Sequence, residues 1–233
     1  MLPYLSQKYG NPSSTHAYGR AMRDAVERAR VQVASLIDCD SEEICFTSGG
    51  TESNNLAIRG VALANPGRRH IVTSMVEHPA TSGPCARLSD MGYRVDRVAV
   101  DRAGAVKLPE ISAATGKETL LVTIMHANSE TGTLQPIREI SGIAHASGAL
   151  MHTDAAQSVG KIEVSVRREE VDLLSVAGHK LYAPPGVGAL YVRAGTPIEP
   201  LLLGAGHERG LRPGTENVAA IAGLGQACAI AAR

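Results

Sequence analysis

The chain has 233 residues, 44% of them hydrophobic and 20% charged, which fits one large globular domain or one domain with part of a second. Its 23 basic and 23 acidic residues cancel, so charge gives no case for nucleic acid or an anionic membrane as partner. Aromatic residues are only 3% of the total, with one Phe and no Trp, so the core must be built from Leu, Ile, Val and Ala.

In chain order, residues 20–37 space their apolar side chains as an amphipathic helix does. Residues 43–47 read as a short buried strand, followed by the turn Ser48-Gly49-Gly50-Thr51 and a helix over 52–64. Strands are expected at 70–75, 93–98, 119–125, 149–153, 171–176 and, after a Pro-Pro-Gly turn, 187–193. Helices are expected at 79–91, 136–147 and 216–232. Continuous apolar strands alternating with helices define an α/β domain, with a mostly parallel sheet and helices on both faces. Ligands in such sheets bind beyond the carboxyl ends of the strands.

The four cysteines, Cys39, Cys45, Cys85 and Cys228, form no C-x-x-C pair and have no metal-ligand spacing. They read as reduced thiols of a cytoplasmic protein. No segment reaches the roughly 18 apolar residues of a bilayer span. No basic stretch followed by an apolar run opens the chain as a secretion signal would.

Four motifs fall at strand ends. In SGGTESNN, residues 48–55, glycines precede a helix whose free N–H groups suit an anion, and Thr51 can add a hydroxyl. The plainer reading is a turn with an N-cap. In HTDAAQ, residues 152–157, Asp154 can hold a charged ring nitrogen and Gln157 can reach a neighbouring oxygen, or Asp154 simply caps the next helix. In AGHKLYAPPG, Lys180 follows a buried strand, where an amine is either exposed or has a partner or covalent role. In VEHPAT, His78 precedes a helix and can stack on an aromatic ring, move protons, or cap. Together these supply a phosphate cradle, a counter-ion for a pyridine nitrogen, a stacking group and a Schiff-base lysine, the parts of a pyridoxal 5'-phosphate (PLP) site.

Those segments, with GNPSSTHAYG, HANSETG and GHERGLRPGTENVAAIAGLG, run in one order over nearly the whole chain. In that order they resemble the cysteine desulfurases and selenocysteine lyases of the class V, PLP-dependent aminotransferase fold. The resemblance implies that Lys180 is the Schiff-base lysine and that Asp154 pairs with the pyridine nitrogen. It also implies that Gln157 reaches the ring's phenolic oxygen and that His78 stacks and shuttles protons. Gly50 and Thr51 would bind the phosphate, His179 would assist beside Lys180, and Thr215 would reach the phosphate in a partner subunit, which implies a homodimer. Two positions depart from the family pattern. Ser129 stands where a second Asn is usual, so it would supply that cofactor contact, if need be through water. Ala177 and Gly178 lack the hydroxyl that many members place just before the His-Lys pair.

The resemblance further implies a large PLP-binding domain over 1–233, with residues 1–20 as an N-terminal arm and about 216–233 opening the connection to a small domain. The family's N-terminal strand and its cysteine-bearing small domain have no match here. The expected activity is removal of sulfur or selenium from L-cysteine or selenocysteine to leave alanine, serving sulfur metabolism and iron-sulfur cluster assembly through a sulfur-acceptor protein. The alternatives are a non-catalytic or PLP-binding-only homologue, and another class V aminotransferase or lyase.

Overall fold

Residues 1–233 are all described by a computed structural model. The apolar runs of the sequence become β1 (Ile44–Thr47), β2 (His70–Ser74), β3 (Arg94–Val98), β4 (Thr119–Thr123), β5 (Leu150–Asp154), β6 (Leu173–Ala177) and β7 (Gly188–Val192). They form one seven-stranded sheet in the order β1-β7-β6-β5-β4-β2-β3. β2, β3, β4, β5 and β6 pair in parallel, while β7 runs antiparallel between β6 and β1. Every residue of β1, β2, β4 and β6 is buried, as expected of strands covered on both faces. The edge strand β3 instead exposes Arg94 and Arg97, charges that discourage edge-to-edge pairing.

The helices are α1 (Leu2–Ser6), α2 (Ala17–Ile37), α3 (Gly50–Asn55), α4 (Val61–Ala64), α5 (Pro79–Asp90), α6 (Leu108–Ala114), α7 (Ile137–Ala146), α8 (Val166–Glu169) and α9 (Val218–Ala231). α2 buries Met22, Ala25, Val26, Ala29, Val33, Ala34 and Ile37, a helical stripe, and ends where Asp38 turns left-handed at φ 58°. Its partner is α9. A Cβ on Gly225 of α9 would sit 2.5 Å from Ala29 Cα, so only glycine allows the two backbones this close.

The helix expected over 52–64 starts earlier, at Gly50, and is not uniform. α3 passes into a π-helical turn, Leu56–Gly60, before α4. The wide turn lets the Gly60 carbonyl accept the Glu199 N–H at 3.1 Å, and a Cβ on Gly60 would sit 2.6 Å from Glu199 O. Residues 1–20, expected as an arm, contain α1 and the first turn of α2. α6 and α8 were not expected. Both are short, and each buries a single residue, Ile111 or Val166.

No helix is long and apolar enough to cross a membrane. A buried ion pair closes the β1 side of the sheet. Arg30 of α2 meets both carboxylate oxygens of Glu208 at 2.8 Å and donates to Ile44 O at 2.7 Å. Glu208 also accepts the Phe46 N–H at 2.7 Å.

Candidate active site

The carboxyl ends of β1, β2, β4, β5 and β6 point the same way, and a cavity of about 420 Å3 opens there. Gly50, Thr51, His78, Ser129, Asp154, Gln157, His179 and Lys180 all line it. Thr215 does not. It is exposed and lies in a separate cavity of about 170 Å3, which shares only Ser48 with the first.

One end of the cavity is the β1–α3 turn. Gly49 has φ 148°, and a Cβ on Gly50 would stand 3.1 Å from Ala177 Cβ. The leading N–H groups of α3 have no acceptor within the helix, and Gly50, Thr51 and Glu52, which carry them, line the cavity. Glu52 is turned away from the role of a competing anion. It accepts from Ser48 N at 2.7 Å and from Arg212 Nε at 2.9 Å. Burial opposes its charge, but these bonds outweigh burial and hold its carboxyl below the usual range.

The floor is Asp154 at the end of β5. Its Oδ1 accepts the Ala156 N–H at 3.0 Å and its Oδ2 accepts from Asn54 Nδ2 at 2.6 Å. Asp154 therefore forms a local turn and also lines the cavity; it caps no helix, since the next one, α8, starts only at Val166 with Ser165 as its N-cap. Asn54 Oδ1 is buried without a partner. Beneath the floor, His152 joins Thr123 Oγ1 at 2.8 Å to Ser175 Oγ at 3.0 Å, tying β4, β5 and β6 together. Burial lowers the His152 pKa to about 3, so the ring is neutral.

His78 is the N-cap of α5, where its Nδ1 accepts the Ala80 N–H at 3.1 Å. That bond fixes the ring and leaves Nε2 for the cavity. The neighbouring Glu77 accepts from Ser74 Oγ at 2.5 Å and from Met125 N at 3.0 and 3.1 Å. It thus straps the end of β2 to the loop after β4. Burial pushes its pKa up to about 8, with Asp154 adding to the rise. Lys180 rides the 3-10 turn Gly178–Leu181 that follows β6, with its side chain in the open cavity.

Ser129 does line the cavity, but its Oγ bonds to Glu130 Oε1 at 3.2 Å. Ala177 lines it as well, with no hydroxyl to offer. The motifs gave no role to Asn54 or Glu77, although both lie inside the quoted segments. Asn54 lies four positions after Gly50, so helical periodicity alone would have turned it back toward the same site. The four cysteines stand apart from the cavity. Burial raises all four thiols to about 12, which keeps them protonated.

An anion cradle, a buried carboxylate, a fixed imidazole and a free amine around one strand-end cavity define an aminotransferase-like α/β protein. Residues 1–233 match the Aminotransferase class-V family throughout, and the chain belongs to it. Cysteine desulfurase IscS of Dictyoglomus turgidum is 51% identical over 232 residues, covering 99% of this chain and 59% of that protein. A Mus musculus cysteine desulfurase is 49% identical over 235 residues, covering 99% of this chain and 51% of its own length. A solved NifS-like protein superposes with a TM-score of 0.97 at 41% identity, covering 99% of this chain and 64% of the other. SspA, solved in complex with cysteine, superposes with a TM-score of 0.94 at 38% identity, covering 97% and 66%. The chain thus spans little more than half the length of these curated relatives.

The family is PLP-dependent, and the residues present fit that cofactor. The glycine at position 50 leaves room where a Cβ would crowd Ala177, and Asp154 with the unpartnered Asn54 oxygen offers buried acceptors at the floor.

Proposed function

We propose that this chain carries the cofactor site of a cysteine desulfurase, with Lys180 as the covalent anchor. The observation behind this reading is the gathering of Lys180, Asp154, His78, Gln157 and the Gly50–Thr51 cradle around one cavity. When bound, the cofactor supplies a conjugated, electron-accepting ring to the amino group of a substrate. The N–H groups of Gly50 and Thr51 with the Thr51 hydroxyl hold its phosphate, assisted by His179. Asp154, itself held by Asn54 and the Ala156 N–H, keeps a proton on the ring nitrogen. Gln157 would bond the ring oxygen, and His78 would cover the ring and relay protons through its free nitrogen. Lys180, when its amine is free, takes the proton from the substrate α-carbon. Ser129 reaches the cofactor through water, and Ala177 leaves the phosphate one hydroxyl fewer.

Cysteine as the substrate is supported by the names of the relatives and by the neighbour solved with cysteine. Selenocysteine fits the same cavity chemistry. The accepting thiol is not one of this chain's own, because all four are protonated and lie away from the cavity. The distance of all four thiols from the cavity, three of them buried, favours one second reading: this chain binds cofactor and leaves sulfur transfer to another polypeptide or segment. In our proposal the protein works as a cytoplasmic homodimer, with the exposed Thr215 serving the partner subunit's phosphate. It hands sulfur to an acceptor protein for iron-sulfur cluster assembly.

The test is borohydride reduction of the chain loaded with PLP, followed by peptide mapping. A stable label at Lys180 that disappears in Lys180→Ala is expected. A label of equal yield in Lys180→Ala would refute the anchor. Sulfide release from cysteine by this chain alone is expected to be near background. Release accompanied by a persulfide on Cys39, Cys45, Cys85 or Cys228 would overturn the reading of the thiols.

A further inference from the structure

Two linked turns follow the floor aspartate. Ser158 N and Val159 N donate to Ala155 O at 3.1 Å, and Lys161 N donates to Ser158 O at 2.9 Å. They bring the chain back on itself, so that Lys161 Nζ meets Gln157 Oε1 at 2.7 Å. An ammonium has donors and no acceptor, so the amide atom it meets must be the carbonyl oxygen. Gln157 lines the cavity, and its Nε2 makes no hydrogen bond within the chain. What Gln157 offers a ligand is therefore a donor.

The same turn is seated against the anchor. Gly160 has φ 75°, and a Cβ there would fall 2.1 Å from Leu181 Cδ2 and 3.2 Å from Ala231 Cβ. Leu181 is the residue after Lys180, so the glycine is what lets the Lys161 turn close onto the anchoring turn.

We propose that Lys161 is a positioning residue for the cofactor: it fixes the Gln157 amide with its NH2 end toward the ring oxygen. This rests on the roles given above to Gln157 and Lys180. Burial and then the nearby Lys180 lower the Lys161 pKa, as expected of two amines on adjoining turns. The other charged or titratable groups facing this region are His179 on the anchoring turn, Asp154 at the end of β5 and Glu130 after β4. Glu52 on α3 and His78 ahead of α5 complete the set that lines the cavity. None of them changes in a Lys161 variant, so a difference between variants isolates Lys161.

The experiment loads the full chain with PLP and follows the visible absorbance of the Lys180-linked cofactor against pH. Lys161→Met is expected to raise the protonation midpoint by about half a unit or more, from loss of the oriented Gln157 donor that favours the deprotonated, ring-oxygen-anion form. Lys161→Arg, which keeps a cation and a donor for Gln157 Oε1, is expected to restore the wild-type midpoint. Gln157→Leu should shift the midpoint less in the Lys161→Met background than alone, because the two act together. Loss of the band in Lys161→Met with its retention in Lys161→Arg also supports the proposal. An unchanged midpoint in Lys161→Met, an equal shift or loss in both variants, or full additivity with Gln157→Leu overturns it. Failure of the cofactor reading itself shows separately, as absence of the borohydride-stable label at Lys180 in the unmutated chain.

Discussion

Replacing Glu77 with Gln tests how the wall of the cavity is held. The change keeps a side-chain oxygen for the Met125 N–H and removes the only group in the strap that ionises. In the folded chain the Glu77 carboxyl titrates near 8 instead of its ordinary 4.5, because burial disfavours the charged form. Between those values the folded state holds a proton that the unfolded state has lost. Stability is therefore full below about 4.5 and declines as pH rises through about 8. The rise from 4.5 to about 8, at about 1.4 kcal/mol per unit, sets a ceiling of about 5 kcal/mol. Glu77 keeps some contact with water, so screening brings the expected loss to about 2–3 kcal/mol. Urea unfolding of both proteins at about pH 5.5 and about pH 8.5 reads the difference directly. Glu77→Gln should gain about 2–3 kcal/mol on the wild type between the two conditions. Parallel stabilities at both pH values would refute the protonated, strap-forming Glu77.

His152 carries the opposite pH dependence. Its folded pKa of about 3 lies below the ordinary 6.5, so the neutral buried ring costs stability as pH falls from 6.5 toward 3. His152→Gln should flatten that acid limb in unfolding titrations, even if it lowers stability at neutral pH. Arg30→Met leaves the Glu208 carboxylate buried without its bidentate partner, and should cost about 3–5 kcal/mol by urea unfolding. Gly225→Ala places a methyl 2.5 Å from Ala29 Cα. It should lower stability by about 1–3 kcal/mol, and Ala29→Gly should recover part of the loss.

The β-strands other than the edge strand β3 were legible because each is a short, largely apolar and buried run, a pattern that needs no knowledge of its neighbours. Their ends were less so. β4 stops at Thr123, although the apolar run continues through Met125, because Met125 N is taken by the Glu77 carboxyl and not by a strand. α6 and α8 escaped notice because helices of this length bury too little to show a period. The site was legible for a related reason. Its parts sit where apolar runs stop, and polar residues there stand out. Asn54 and Glu77 did not stand out, since each matters through a partner far along the chain, Asp154 or Met125. The same is true of Lys161. As one lysine in a turn it is unremarked until the chain folds it over Gln157.

The antiparallel course of β7 has a mechanical consequence for Lys180. The segment bearing the lysine leaves β6 at Ala177 and re-enters the sheet at Gly188, and those two residues are directly paired. Gly178 N–H to Val187 O at 3.1 Å and Ala183 N–H to Gly178 O at 3.1 Å cinch the base further. The amine is thus mounted on the closed end of a hairpin, where a parallel crossover would have left it on a longer connection. An amine on so short a tether keeps a high local concentration at the cavity whatever else enters it.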